Sequence, residues 1–105
     1  MDIVFVYITA KDAKQARTIG RTLVDERLAA CVNILGGMQS IYRWDGKICE
    51  DTEAVLIAKT RQPLVGQLTE RVKQLHTYSC PCVVALPVVD GNNDFLKWIG
   101  AETGG

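Results

Sequence analysis

The order of strand-like and helix-like stretches predicts an α+β fold, a ferredoxin-like βαββαβ sandwich with a long central hairpin and a short C-terminal helix. Three observations carry that expectation. Asp45-Gly46 stands between two long β-prone runs, and Asp-Gly is the natural occupant of a tight hairpin turn that needs positive φ at both central residues. Apolar residues recur at helical spacing on either side of that hairpin. Short aliphatic runs open the chain and return near its end.

Taken in order, Ile3 to Ile8 is apolar and β-branched, the composition of a central strand buried on both faces. Thr9 or Asp12 can cap the next element. Ala13, Ala16, Ile19, Gly20, Leu23 and Val24 then mark an amphipathic helix from Asp12 to Arg27. Its small residues permit close approach to a sheet. Leu28 to Trp44 and Lys47 to Thr60 form the hairpin, with Trp44 opposite Lys47, Tyr42 opposite Cys49 and Ile34 opposite Ile57. That register puts Val32 and Ile34 on one face with Val55, Ile57 and Lys59, and Cys31, Leu35, Leu56 and Ala58 on the other. Gly36-Gly37 is the expected site of a bulge or bend. Pro63 suits a first helical turn, and Leu64, Val65, Leu68, Val72 and Leu75 continue a second amphipathic helix to His76. Cys82 to Val88 reads as the fourth strand, interrupted near Pro87. Asp94 to Ile99 is a short helix expected to bury Phe95 and Trp98, and Thr103-Gly104-Gly105 is expected to fray.

Composition bounds the function. At 105 residues, with 48% hydrophobic and 23% charged side chains, the chain reads as one globular domain over residues 1–105. Twelve basic and twelve acidic residues give zero formal net charge, which argues against general binding to nucleic acid or anionic membranes. No apolar run approaches the roughly 20 residues of a membrane span. The opening Met1 to Ile8 lacks the basic leader of a secretion signal, so a cytoplasmic location is expected. Four cysteines, Cys31, Cys49, Cys80 and Cys82, show no CxxC spacing and read as free thiols, with Cys31 in the core. The base of the hairpin is apolar on both faces, while its tip carries Arg43, Lys47, Glu50, Asp51 and Glu53. A two-stranded arm reaching past its own core is marginal alone, so oligomerisation is expected.

Leu28-Ala29-Ala30-Cys31-Val32-Asn33, Ser40, Tyr42-Arg43-Trp44-Asp45-Gly46-Lys47, Glu53 and Lys59-Thr60 together resemble the CutA divalent-cation-tolerance family. Tyr78, Pro81, Pro87-Val88, Gly91 and Leu96-Lys97-Trp98 continue the match in order, so the resemblance runs from Ile3 to Ile99. It implies a cytoplasmic homotrimer of ferredoxin-like subunits, similar in architecture to PII signalling proteins and linked to tolerance of copper and other divalent metals. The chain departs from the family pattern at Ile8, where some bacterial members carry Cys. It departs again at His76, a single imidazole where some carry two, and at Pro81, flanked by thiols where acids often stand.

Three candidate sites follow. Cys80 and Cys82 with His76 offer thiolate and imidazole donors, the set that suits copper or zinc, although Cys-Pro-Cys is not itself a specific ligand motif. Lys59 is unusual in an apolar strand; with Glu53 and Tyr78 from neighbouring subunits it could line a cleft for a small anion or metabolite, or form an interface salt bridge. Trp44 and Lys47 could make a cation–π pair beside it or serve subunit packing. The acids of the tip could hold a hard cation or pair with Arg43 and Lys47. No obligatory cofactor is implied. An enzyme needs a positioned acid or base, and no dyad is visible among His76, Tyr78 and the acids, so a non-catalytic binding or signalling module is expected. The alternative is a small-molecule enzyme on the same scaffold, working in the intersubunit cleft.

Overall fold

The computed structural model describes residues 2–104. Its elements follow the expected order: β1 (Ile3–Ala10), α1 (Ala13–Asp25), β2 (Cys31–Trp44), β3 (Lys47–Arg61), a short 3-10 turn (Gln62–Leu64), α2 (Val65–Leu75), β4 (Val83–Pro87) and α3 (Asn93–Glu102). The strands form one sheet in the order β2-β3-β1-β4, antiparallel at every pair. This is the ferredoxin-like arrangement.

β1 is central, which explains its apolar run. Val4, Val6, Ile8 and Ala10 point under α1 and α2, and the alternate Ile3 and Phe5 meet Ile99 and Leu96 of α3 on the opposite face. α1 starts where the Asp12 carboxylate accepts the Gln15 N–H at 2.8 Å. Ala16, Ile19, Gly20 and Leu23 form its buried stripe. Gly20 is the point of closest approach: a Cβ there would lie 2.8 Å from Val32 Cγ2. Pro63 sits in the first turn leading into α2, where its missing N–H costs nothing.

Asp45 and Gly46 both take positive φ, 51° and 74°, and close the hairpin as expected. Near the turn the register is also as expected, with Trp44 opposite Lys47 and Tyr42 opposite Cys49. At the base it is not. A bulge between Leu35 and Met38, with Gly37 at φ 71°, slips the pairing by one residue, so Ile34 faces Leu56 instead of Ile57. A slip of one exchanges every side chain between faces. Val32 and Ile34 therefore join Leu56 and Ala58 against the helices. Cys31, Asn33 and Leu35 share the other face with Val55, Ile57 and Lys59. Cys31 is accordingly half-buried and not a core thiol.

The C-terminal segment corrects two further expectations. Phe95 and Trp98 are not core anchors: they stack on each other at 5.7 Å and stay about two-fifths exposed, at 40% and 42%, while Ile99 is the buried residue of α3. Thr103 is buried rather than frayed. Its hydroxyl accepts from Arg61 Nε at 3.1 Å and donates to the Ile99 carbonyl at 2.9 Å, and the Gly104 N–H bonds the Arg27 carbonyl at 2.9 Å. The expectation for Gly105 lies outside the described residues.

The molecule is elongated, 44 Å along its longest axis against 26 and 22 Å. Beyond Met38 the hairpin extends as a finger. Its Ile41 and Ile48 are each 69% exposed and Trp44 is 53% exposed.

Candidate functional site

A cleft of about 490 Å³ opens where the finger leaves the sheet. Four structural facts build it. The alternation of β2 and β3 beyond the bulge puts Ser40, Tyr42 and Trp44 on one face with Glu53 and Asp51. Near the end of β1, Thr9 stands beside them in register with Val55. The connection from α2 to β4 supplies Tyr78, Ser79, Cys80 and Cys82 as the facing wall. Two contacts fasten that connection: Gln15 Nε2 donates to Thr77 Oγ1 at 2.9 Å, and the His76 ring lies 2.7 Å from the Thr9 carbonyl.

Each cleft phenol is held by a carboxylate. Tyr78 OH donates to Glu53 Oε2 at 2.8 Å, and Tyr42 OH donates to Asp51 Oδ2. The Tyr78 pKa is pushed up to about 12, first by burial, then by the Glu53 hydrogen bond, with the charges of Glu53 and Asp51 adding to it. Tyr42 also rises to about 12, here first through the bond to Asp51. Both phenols therefore stay protonated at neutral pH as donors. Burial pushes the Cys82 thiol up as well, assisted by the Glu53 charge and Cys80 and opposed by a hydrogen bond with Thr9. A raised thiol is a poor nucleophile and a reluctant thiolate.

His76 is committed to the backbone. Its Nδ1 accepts the Tyr78 N–H at 3.1 Å, so Nε2 carries the proton and donates to the Thr9 carbonyl. Its ring lies 4.5 Å from that of Tyr78, and its work here is to hold the loop. Among the described residues, no three His, Cys, Asp or Glu side chains stand close enough to hold a metal ion. His76, Cys80 and Cys82 therefore do not make a ligand set within one chain: Cys80 and Cys82 line the cleft, but both imidazole nitrogens are already used.

Of the residues expected in a ligand cleft, Trp44, Glu53 and Tyr78 are brought together. Lys59 is not among the lining residues. It is 8% exposed, its ammonium donates to Asn33 Oδ1, and it stands 5.5 Å from the Phe5 ring centroid. The cation–π contact that the structure shows is thus at Phe5 and Lys59. Lys47, exposed at the tip opposite Trp44, also stays out of the lining. Nor do Arg43 and Lys47 make ion pairs with the tip acids among the described residues, where the ion pairs are Arg27–Glu102, Arg71–Glu26 and Lys73–Glu70. Within one chain, neither lysine joins the cleft that Trp44, Glu53 and Tyr78 share. Sequence reasoning missed Thr9 and Tyr42. Period-two alternation would have placed Tyr42 with Trp44, whereas Thr9 depends on a pairing between β1 and β3 that no local signal encodes.

The antiparallel sandwich with its extended hairpin and cleft defines the class, an α+β protein of ferredoxin-like fold. The sequence model for the family described as CutA1 divalent ion tolerance protein matches residues 4–102, and the chain belongs to that family. It is 50% identical over 99 residues to the divalent-cation tolerance protein CutA of Thermus thermophilus, covering 94% of this chain and 96% of that one. The solved structure of the cation tolerance protein from that organism superposes with a TM-score of 0.95 at 49% identity, over 97% of this chain and 99% of that one. A CutA structure from Archaeoglobus fulgidus, described as periplasmic, superposes at 0.92 with 39% identity, over 95% of this chain and 97% of that one. The chloroplastic CutA protein of Arabidopsis thaliana is 42% identical over 95% of this chain, which spans 55% of that longer protein. No helix among the described residues is long and apolar enough to cross a membrane.

Proposed function

We propose that this chain works as a homotrimer of single domains, a non-catalytic module that holds a small ligand or metal ion in the finger-root cleft and so serves divalent-metal tolerance. The observation that carries the reading is the finger. Ile41, Ile48 and Trp44 are more than half exposed on a two-stranded arm beyond the core, and Leu35, Val84 and Leu86 are equally bare on the sheet. Such surface calls for cover, and sister chains related by rotational symmetry supply it. The family's description as divalent ion tolerance proteins supports the metal part. Within that reading, a copper or other divalent ion draws its donors from more than one subunit, with Cys80 and Cys82 as the soft ones, because no third ligand joins them among the described residues of one chain. The absence of a free imidazole and the raised Cys82 thiol support a binding role over acid–base or nucleophilic catalysis. The location that fits a chain of this kind is the cytoplasm.

Native mass spectrometry of gently purified protein tests the whole reading. The expected result is three copies per particle, with retained mass from a small molecule or ion. A compact, cooperatively melting monomer at micromolar concentration would overturn it.

A further inference from the structure

The cleft has a chemical character of its own. Three aromatic rings, Tyr42, Trp44 and Tyr78, line it, and one acidic side chain, Glu53, stands among them with Asp51 bonded behind Tyr42. No Lys or Arg belongs to the lining. The two hydrogen bonds from phenol to carboxylate fix the rings and leave each carboxylate with further acceptor capacity. Aromatic faces carry negative quadrupole density, and a set of them around a carboxylate is the recurring recognition device for alkylammonium groups. The volume of about 490 Å³ falls within the roughly 300–1,000 Å³ of small-molecule sites.

We propose that the cleft binds an organic cation, a small ammonium compound whose charged head sits against Tyr42, Trp44 and Tyr78 with Glu53 as counter-charge. This rests on the cleft being a ligand site, and it replaces the anionic ligand that the lysines suggested. An anion entering here would meet Glu53 and Asp51 without a compensating cation. An alkylammonium uses both halves of the lining: the rings take its weakly hydrated methyl or methylene groups, and the carboxylate takes its charge.

Calorimetric titration of the intact protein with choline, with the uncharged carbon isostere of choline, and with inorganic phosphate tests the proposal. Choline should bind at least about tenfold more tightly than its isostere, a difference of one decade in Kd, and phosphate should give no signal. Glu53→Gln keeps an acceptor for Tyr78 while removing the charge, and should weaken choline by a similar factor. Should that variant fail to fold, Tyr78→Phe serves instead. It keeps the ring and frees the carboxylate, so choline binding should persist or tighten. Equal binding of choline and its isostere, preferential binding of phosphate, or loss of choline binding in a folded Tyr78→Phe protein would each overturn the assignment. A trimer that binds none of the probes would overturn it too, and would leave the assembly proposed above intact. A monomer that still prefers choline would do the reverse.

Discussion

The two ends of the β2-β3 hairpin share a backbone geometry and differ in almost everything else. At the base, Ala54, Leu56, Ala58 and Thr60 are completely buried under α1 and α2. At the tip, the equivalent alternation places Ile41 and Ile48 in solvent. The Leu35/Met38 bulge divides the two halves. The helix-facing side of the base is finished within one chain, and its stability belongs to that chain. The tip presents the same strand chemistry with nothing laid over it, and its apolar residues are the surface on which the proposed trimer rests. A single hairpin thus carries two kinds of information, one about folding and one about association.

The largest effect that would break this contrast is at Leu56. Leu56→Ala leaves a cavity in the centre of the sheet and should cost about 2–5 kcal/mol, lowering Tm by roughly 10 °C or more at every protein concentration. Ile41→Lys should instead lower Tm in a concentration-dependent way, because it acts on assembly. Calorimetry across a hundredfold dilution series separates the two. A concentration-independent loss at Ile41, or an unchanged Tm at Leu56, would erase the distinction.

A smaller effect of opposite sign sharpens it. Thr60 is fully buried, and its hydroxyl is the buried side-chain polar atom left without a hydrogen-bond partner among the described residues. An unmet buried hydroxyl costs about 1–3 kcal/mol. Thr60→Val has the same shape without that hydroxyl, so it should stabilise the base by about 1 kcal/mol, a rise of a few degrees on thermal melting. A lower Tm would mean that the hydroxyl finds a partner in the assembled protein, and that the base is not self-contained.

How far the sequence reached follows the same division. Elements marked by local chemistry were legible: Asp45-Gly46 as the turn, Asp12 as a cap, Pro63 at a helix start, and aliphatic β1 as a central strand. Even the bulge at Gly36-Gly37 could be anticipated. Its consequence could not, because the slip it introduces is set by how Val32 and Leu56 pack beneath Gly20, a contact between distant segments. The cleft divided likewise. Trp44, Glu53 and Tyr78 converge as expected, but Lys59, although it shares a face of β3 with Glu53, stands six residues further along the strand, beside Asn33 and Phe5. His76 looked like a ligand because imidazole usually is available. Only the fold shows both nitrogens bonded to Thr9 and Tyr78. Size argues for Phe95 and Trp98 in the core, whereas the face of α3 is chosen by Ile99.

The smallest predicted effect is spectroscopic and distinguishes the cleft wall from the finger. Both phenols have folded-state pKa values of about 12 against an ordinary 10.0. Because the protonated form is favoured in the folded state, any stability from these groups is fully present below pH 10 and lost as pH climbs through about 12. Phenolate absorbance of the folded protein should therefore lag that of the unfolded chain across this interval, and Tyr42→Phe and Tyr78→Phe should each remove one late step. The causes differ in order. The Asp51 hydrogen bond leads at Tyr42, while burial leads at Tyr78 and its Glu53 bond comes second. Asp51→Asn should consequently bring Tyr42 down further than Glu53→Gln brings Tyr78. If the two fall equally, then the wall built by the loop between α2 and β4 is no more sheltered from water than the free finger, and the cleft lacks the dry interior that would separate it from the exposed tip.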